Sequence, residues 1–153
     1  MPAPTLSEVA FHEAAHCAMA LLFGMRVKEV SCQPSSPGLL GHCEYYGRTA
    51  SASQVLRIAV AGMVGQRKHS GRRLRRSYEG RDRRQARTLA KRIDPDYVTE
   101  TIWGALREVK AKLNDSDVWK GVTALADALQ VHGQLSGLEA TEIFFTTCWG
   151  VIC

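Results

Sequence analysis

Phe11-His12-Glu13-Ala14-Ala15-His16-Cys17 sets two histidines four residues apart, with a glutamate directly after the first. Residues four apart on an α-helix lie one above the other, so His12 and His16 can offer two imidazole nitrogens to one metal ion. The flanks predict that helix. Thr5 is a natural N-cap, Glu8 three residues later completes a capping box, apolar residues run on to Leu22, and Gly24 stops them. Ala14, Ala15 and Ala18 are small enough to admit a close neighbour, while Val9, Met19, Leu21 and Leu22 supply core, so the helix is expected to be buried on one side and open on another.

Glu13 points to an adjoining part of the same surface, better suited to holding a water than to binding the metal. Zinc brings the pKa of bound water from about 15.7 to about 7, and a neighbouring carboxylate can take the proton and pass it to a leaving amine. The pattern therefore suits hydrolysis, with His12 and His16 as ligands and Glu13 as general base. The plainer alternative is a pair of core histidines satisfied by carbonyls, with Glu13 solvated. Cys17 follows His16 but projects in another direction, as a small buried thiol would.

A catalytic zinc takes three protein ligands and keeps one position for water. A third histidine six residues after the second is absent, because Leu22 stands there. Asp82, Glu79, Glu44 and His69 compete for the role, and an aspartate near a helix start is more often a cap.

The chain has 153 residues, 45% hydrophobic and 23% charged, which is enough for one domain with a real core and too little for an additional ATPase motor. No stretch approaches the roughly 20 apolar residues of a membrane span. Met1-Pro2-Ala3-Pro4 lacks a signal-peptide start, so a cytoplasmic protein is expected. Five cysteines (Cys17, Cys32, Cys43, Cys148 and Cys153) form no CxxC pair and read as reduced thiols. The net charge of +5 concentrates between Arg67 and Arg92, where Arg72, Arg73, Arg75, Arg76, Arg81, Arg83, Arg84 and Arg87 fall. Without interleaved aromatics this run reads as a solvated face, and nucleic acid is not the expected partner.

Val27 to Cys32 and Leu39 to Tyr46 alternate as strands around a turn at Pro34-Ser35-Ser36-Pro37-Gly38. An exposed edge near a metal can hold an extended peptide by main-chain hydrogen bonds, which makes Leu40, Gly41, His42, Cys43 and Glu44 the candidate substrate-binding strand; a covered strand is the alternative. Ser51 to Arg67 reads as a second helix, Gly71 to Tyr78 as a polar connection bordering the cleft, and Glu79-Gly80-Arg81-Asp82 as the lead into a third helix ended by Asp94-Pro95-Asp96. Helices are expected from Tyr97 to Leu113 and from Val118 to about Val131, with a short last one from Ser136-Gly137-Leu138-Glu139. An apolar tail over 145–153 then packs on the domain or meets another subunit.

The chain resembles the peptidase domain of the FtsH-type, AAA-coupled zinc endopeptidases. His12-Glu13-Ala14-Ala15-His16-Cys17 matches their HEAGHA segment, and Val60-Ala61-Gly62-Met63-Val64-Gly65-Gln66 stands where they have a helix reading like LAGRAAEE. Glu79 to Arg87 is similar to the stretch in which an aspartate opening a helix is the third zinc ligand, and Leu135 to Ala140 is similar to their ending. The resemblance runs from about Leu6 to Ile143. It implies one zinc per chain held by His12, His16 and Asp82, with Glu13 as base. Ala15 replaces the usual glycine, and Gln66 stands where an acidic residue is common.

The expected fold is α+β and mainly α-helical in a single domain over 1–153. It has a zincin-like HExxH helix over about 5–23, a two- to three-stranded antiparallel sheet within 27–46, and helices over 51–144 that end in a bundle. The expected activity is zinc-dependent hydrolysis of flexible polypeptide segments, with a homo-oligomer or a separate ATPase as the further partners in question. The alternative is a non-catalytic, zinc-containing binding or adaptor module that uses the arginine-rich face.

Overall fold

Helix α1 (Leu6–Leu22) opens as its sequence requires: Thr5 accepts a hydrogen bond from the Glu8 amide, and the Glu8 carboxylate accepts one from the Thr5 amide. The computed structural model describes residues 3–36, 39–73 and 76–150, and of 76–78 the backbone only. Every residue of α1 from Glu8 to Leu21 is buried. That differs from a helix open on one side, and the reason is its central position: α2 (Ala52–Ser70), α5 (Ser116–His132), β1 (Arg26–Ser31) and β2 (His42–Tyr46) all pack on it. Its end is a Schellman turn, with Met25 N–H on Ala20 O, Gly24 N–H on Leu21 O, and Gly24 at φ 76° where a Cβ would be strained.

The chain returns from that turn as β1, the middle strand of a three-stranded antiparallel sheet in the order β2-β1-β3, with β3 spanning Gln134–Ser136. The sequence reading allowed two to three strands but placed the sheet within 27–46; the third strand lies outside that range, and its three residues are too few to show alternation. They pair because Gly133 ends α5 beside Cys32, whose amide donates to the Gly133 carbonyl at 2.9 Å. β2 begins at His42 rather than Leu39, since Leu39 joins only an isolated bridge to Ser36. Pro37 and Gly38 of the expected turn lie outside the described residues.

α2 starts from a second capping box, Ser51 with Gln54, and runs one turn beyond Arg67 to a left-handed Gly71. It lies very close to α1: a Cβ on Gly65 would collide with the Cβ of Ala15, so Gly65 makes room for the methyl that Ala15 adds. Gln66 is fully buried and donates to Ser70 Oγ and to the Arg72 carbonyl, the second a bond that a carboxylate could not make.

α3 (Arg76–Ile93) begins before Glu79, so Asp82 sits in its second turn and does not open it. The expected polar connection is therefore shorter than Gly71 to Tyr78, and its residues 74–75 lie outside the described ones. Fully buried Glu79 anchors the early turns of α3, accepting from Arg67 at 3.1 Å and from Arg83 at 2.7 Å.

α4 (Val98–Leu113) and α5 follow as expected, the latter capped by Asp115. α6 (Gly137–Trp149) takes up most of the expected tail. Its Phe144 is fully buried against Gly121 of α5, where a Cβ would stand 2.6 Å from the ring, and Cys148 of the tail is buried beside the same glycine, so this part of the tail packs back on the domain. Residues 151–153, Cys153 among them, lie outside the described ones. Among the described residues no helix is long and apolar enough to cross a membrane.

Glu8 also ties α1 to the end of α2. Its two oxygens accept from Arg72 Nε and Nη2, each at 2.7 Å, and this pairing outweighs burial to bring the carboxyl down to about 2. A carboxyl lowered in the folded state stabilises the fold above its ordinary value of 4.5, and that contribution is lost as pH falls toward 2. Glu8→Gln keeps the capping box and removes the charge. Thermal melts should show it less stable than wild type by about 1–2 kcal/mol at pH 7, with the two curves converging as pH nears 2.

Candidate metal centre

His12 and His16 leave α1 one turn apart and meet Asp82 of α3. A single oxygen, Asp82 Oδ2, lies 2.8 Å from His12 Nε2 and 3.1 Å from His16 Nε2. His12 and His16 are buried and Asp82 nearly so, and one donor atom from each falls within 4.8 Å of the other two. The sequence left four residues competing for the third place. Three of them are engaged elsewhere: Glu79 with Arg67 and Arg83, Glu44 with Lys28 at 3.4 Å, and His69 stacked on Phe11 and bonded to Ser7 Oγ.

The centre is built to present imidazole lone pairs inward. His16 Nδ1 lies 2.6 Å from the Ile58 carbonyl of α2, which can only accept, so Nδ1 carries the hydrogen and Nε2 is left for a metal. Gly62, one turn further along α2, backs the same spot. A Cβ there would stand 2.5 Å from His12 Nε2 and closer still to His16 Nε2, so only glycine leaves the two nitrogens free to converge.

The electrostatics favour a cation between these groups. Burial works against a charged His16, yet the Asp82 carboxylate beside it and Glu13 nearby raise its pKa to about 10. Burial likewise opposes an ionised Asp82, and the two imidazoles overcome it, holding the carboxyl well below the usual range. A divalent ion exploits the same arrangement, taking the place of the proton between neutral imidazoles and an ionised carboxylate. Two nitrogens and a carboxylate oxygen, buried and converging, suit zinc chemically. The three residues thus fit a metal.

Glu13 is 6% exposed and lies in the same cleft, a space of about 790 Å³. Burial raises its pKa, the two histidines only partly offsetting this. Gly41 lies directly on it: a Cβ there would be 2.9 Å from Glu13 Cγ and 2.7 Å from the Ser31 carbonyl. That close approach turns the chain into β2, which is why the strand begins only at His42.

All of Leu40, Gly41, His42, Cys43 and Glu44 line the cleft, and the outer edge of β2 carries no strand partner among the described residues. Cys17 is buried and hydrogen-bonded with Cys43, whose thiol is held well above its ordinary pKa by that bond and by burial. A second donor group, Glu29, His42 and Glu44, lies on this wall, but it is more exposed and already committed: His42 Nε2 to Glu29 at 2.9 Å, Gln134 to Glu29, and Lys28 to Glu44.

Sequence reasoning placed Gly41 only on the candidate substrate strand and assigned no site role to Gly62 or to the Ile58 carbonyl. A signal for Gly62 was present, since a glycine inside an apolar helix costs about 1 kcal/mol against alanine and so points to a packing reason. Nothing in the sequence pointed to Ile58, because any residue type supplies a carbonyl. No protein-family model matches this chain, and no curated protein matches it significantly.

Proposed function

We propose that this chain is a zinc-dependent endopeptidase of the FtsH-like kind, acting on flexible polypeptide segments. The observation that carries the proposal is the convergence of buried His12 and His16 with half-buried Asp82, beside a buried glutamate that is not itself among the three. A purely structural zinc site has no use for Glu13 at that place, whereas hydrolysis does.

His12, His16 and Asp82 would hold the ion. When bound, zinc lowers the pKa of water to about 7 and polarises a carbonyl oxygen. An extended substrate pairs with the free edge of β2 by main-chain hydrogen bonds, which brings a peptide bond over the floor of the cleft formed by α1. Glu13 accepts the proton of the attacking water and delivers it to the leaving nitrogen. Pairing at the edge of β2 requires an extended segment, so on this reading a folded substrate needs unfolding first, which is the work of an ATPase partner or of the substrate's own flexibility.

The test joins metal content to cleavage. Protein purified without chelator should carry about one zinc per chain and cut an unstructured polypeptide. Chelation should stop the cutting, added zinc should restore it, and Asp82→Ala should lose most of the metal. A zinc-loaded protein that cuts nothing would sink the enzyme reading in favour of a binding or adaptor module.

A further inference from the structure

We propose that the cleft selects polypeptide segments bearing acidic side chains, and that Arg81 and Arg84 of α3 are the residues that hold them. The proposal deepens the peptidase reading and rests on it.

Four of the described arginines around α2 and α3 are spent on carboxylates of the protein itself. Arg67 and Arg83 neutralise Glu79, Arg72 neutralises Glu8, and Arg57 neutralises Glu108. Arg81 and Arg84 differ: both are exposed, both line the cleft, and neither pairs with a carboxylate among the described residues. They flank Asp82 in sequence, but its inner oxygen is taken by the two imidazoles. The wall formed by α3 therefore offers two uncompensated guanidinium groups next to the scissile position, each able to bind a carboxylate in bidentate fashion.

The opposite wall has the other sign. Glu29 and Glu44 stand directly across from each other in the β1–β2 register, and His42 and Lys28 only partly offset them. Like charges facing each other across strands repel any further anion. A segment lying along β2 alternates its side chains between two directions. Acidic side chains directed to α3 meet Arg81 and Arg84, and those directed to the sheet meet repulsion. A polyanion such as nucleic acid, charged along its whole backbone, fits such a two-signed cleft poorly.

The experiment uses three matched, fluorescently labelled extended peptides whose variable positions are Glu, Gln or Lys, titrated by anisotropy against zinc-loaded Glu13→Gln at low and high salt. The Glu peptide should bind roughly five- to tenfold more tightly than the Gln peptide at low salt, and less so at high salt. Arg81→Gln with Arg84→Gln should remove that preference, and Arg81→Glu with Arg84→Glu should turn it toward the Lys peptide, zinc content and melting temperature being unchanged. Equal binding of all three peptides, no binding of any, or an order that the arginine variants leave intact would overturn the proposal. So would a single-stranded oligonucleotide that displaces the Glu peptide and loses its own binding in the same variants. Failure here is distinct from failure of the peptidase reading, because charge-blind cleavage by the wild type would refute only the selectivity.

Discussion

Glu13→Gln should lower peptide hydrolysis by on the order of 10²–10⁴ while zinc stays at its wild-type level. Glutamine has the size of glutamate, so it fits beneath Gly41 and leaves α1 undisturbed. The two side chains differ in one property that matters: an amide cannot take a proton from water. Since His12, His16 and Asp82 form the donor set without Glu13, the metal has no reason to leave. Metal analysis and a cleavage assay on the same preparation check both halves of the expectation. Equal activity in the two proteins would remove Glu13 from the chemistry, and zinc lost together with activity would make it a ligand.

Local chemistry made α1 readable. A capping box, an apolar run and a stopping glycine all act within a few residues, and the HExxH spacing needs only the helical repeat to place His12 and His16 on one face. The early turns of α3 were not readable in this way. Their buried residue is a glutamate, which sequence patterning assigns to solvent, and only Arg67 and Arg83 arriving from α2 and from the next turn make that burial tolerable. Asp82 shows the same limit from the other side. Its place beside the imidazoles depends on how α2 holds α3, so residues alone left it one of four candidates. The tail stayed open between two readings for a different reason: apolar side chains spaced to pack on α5 look the same in sequence as an exposed apolar end, and the close fit of Phe144 and Cys148 to Gly121 separates the two.

Gly62→Ala should abolish tight zinc binding in a protein that still folds. Alanine is favoured over glycine by about 1 kcal/mol in a helix interior, so α2 itself has no reason to fail. The added methyl, however, would stand 2.5 Å from His12 Nε2 and nearer to His16 Nε2, well inside van der Waals contact and in the space on which both nitrogens converge. His16 cannot simply turn aside, because its Nδ1 is bonded to the Ile58 carbonyl of the same helix that brings the methyl in. Relief comes only by breaking that bond or by moving α1 from α2, and Gly65 already holds those helices close at Ala15. Zinc affinity should therefore fall by at least the 10–100-fold typical of a damaged outer shell, with hydrolysis falling alongside. Gly104→Ala is the control, since a Cβ on Gly104 of α4 meets nothing within 4 Å, and it should leave zinc unchanged while slightly raising the melting temperature. Circular dichroism, melting and zinc titration of the two variants test the contrast. Normal zinc affinity in Gly62→Ala would mean that the imidazoles do not meet over Gly62, and the metal centre would have to be sought on another face of α1.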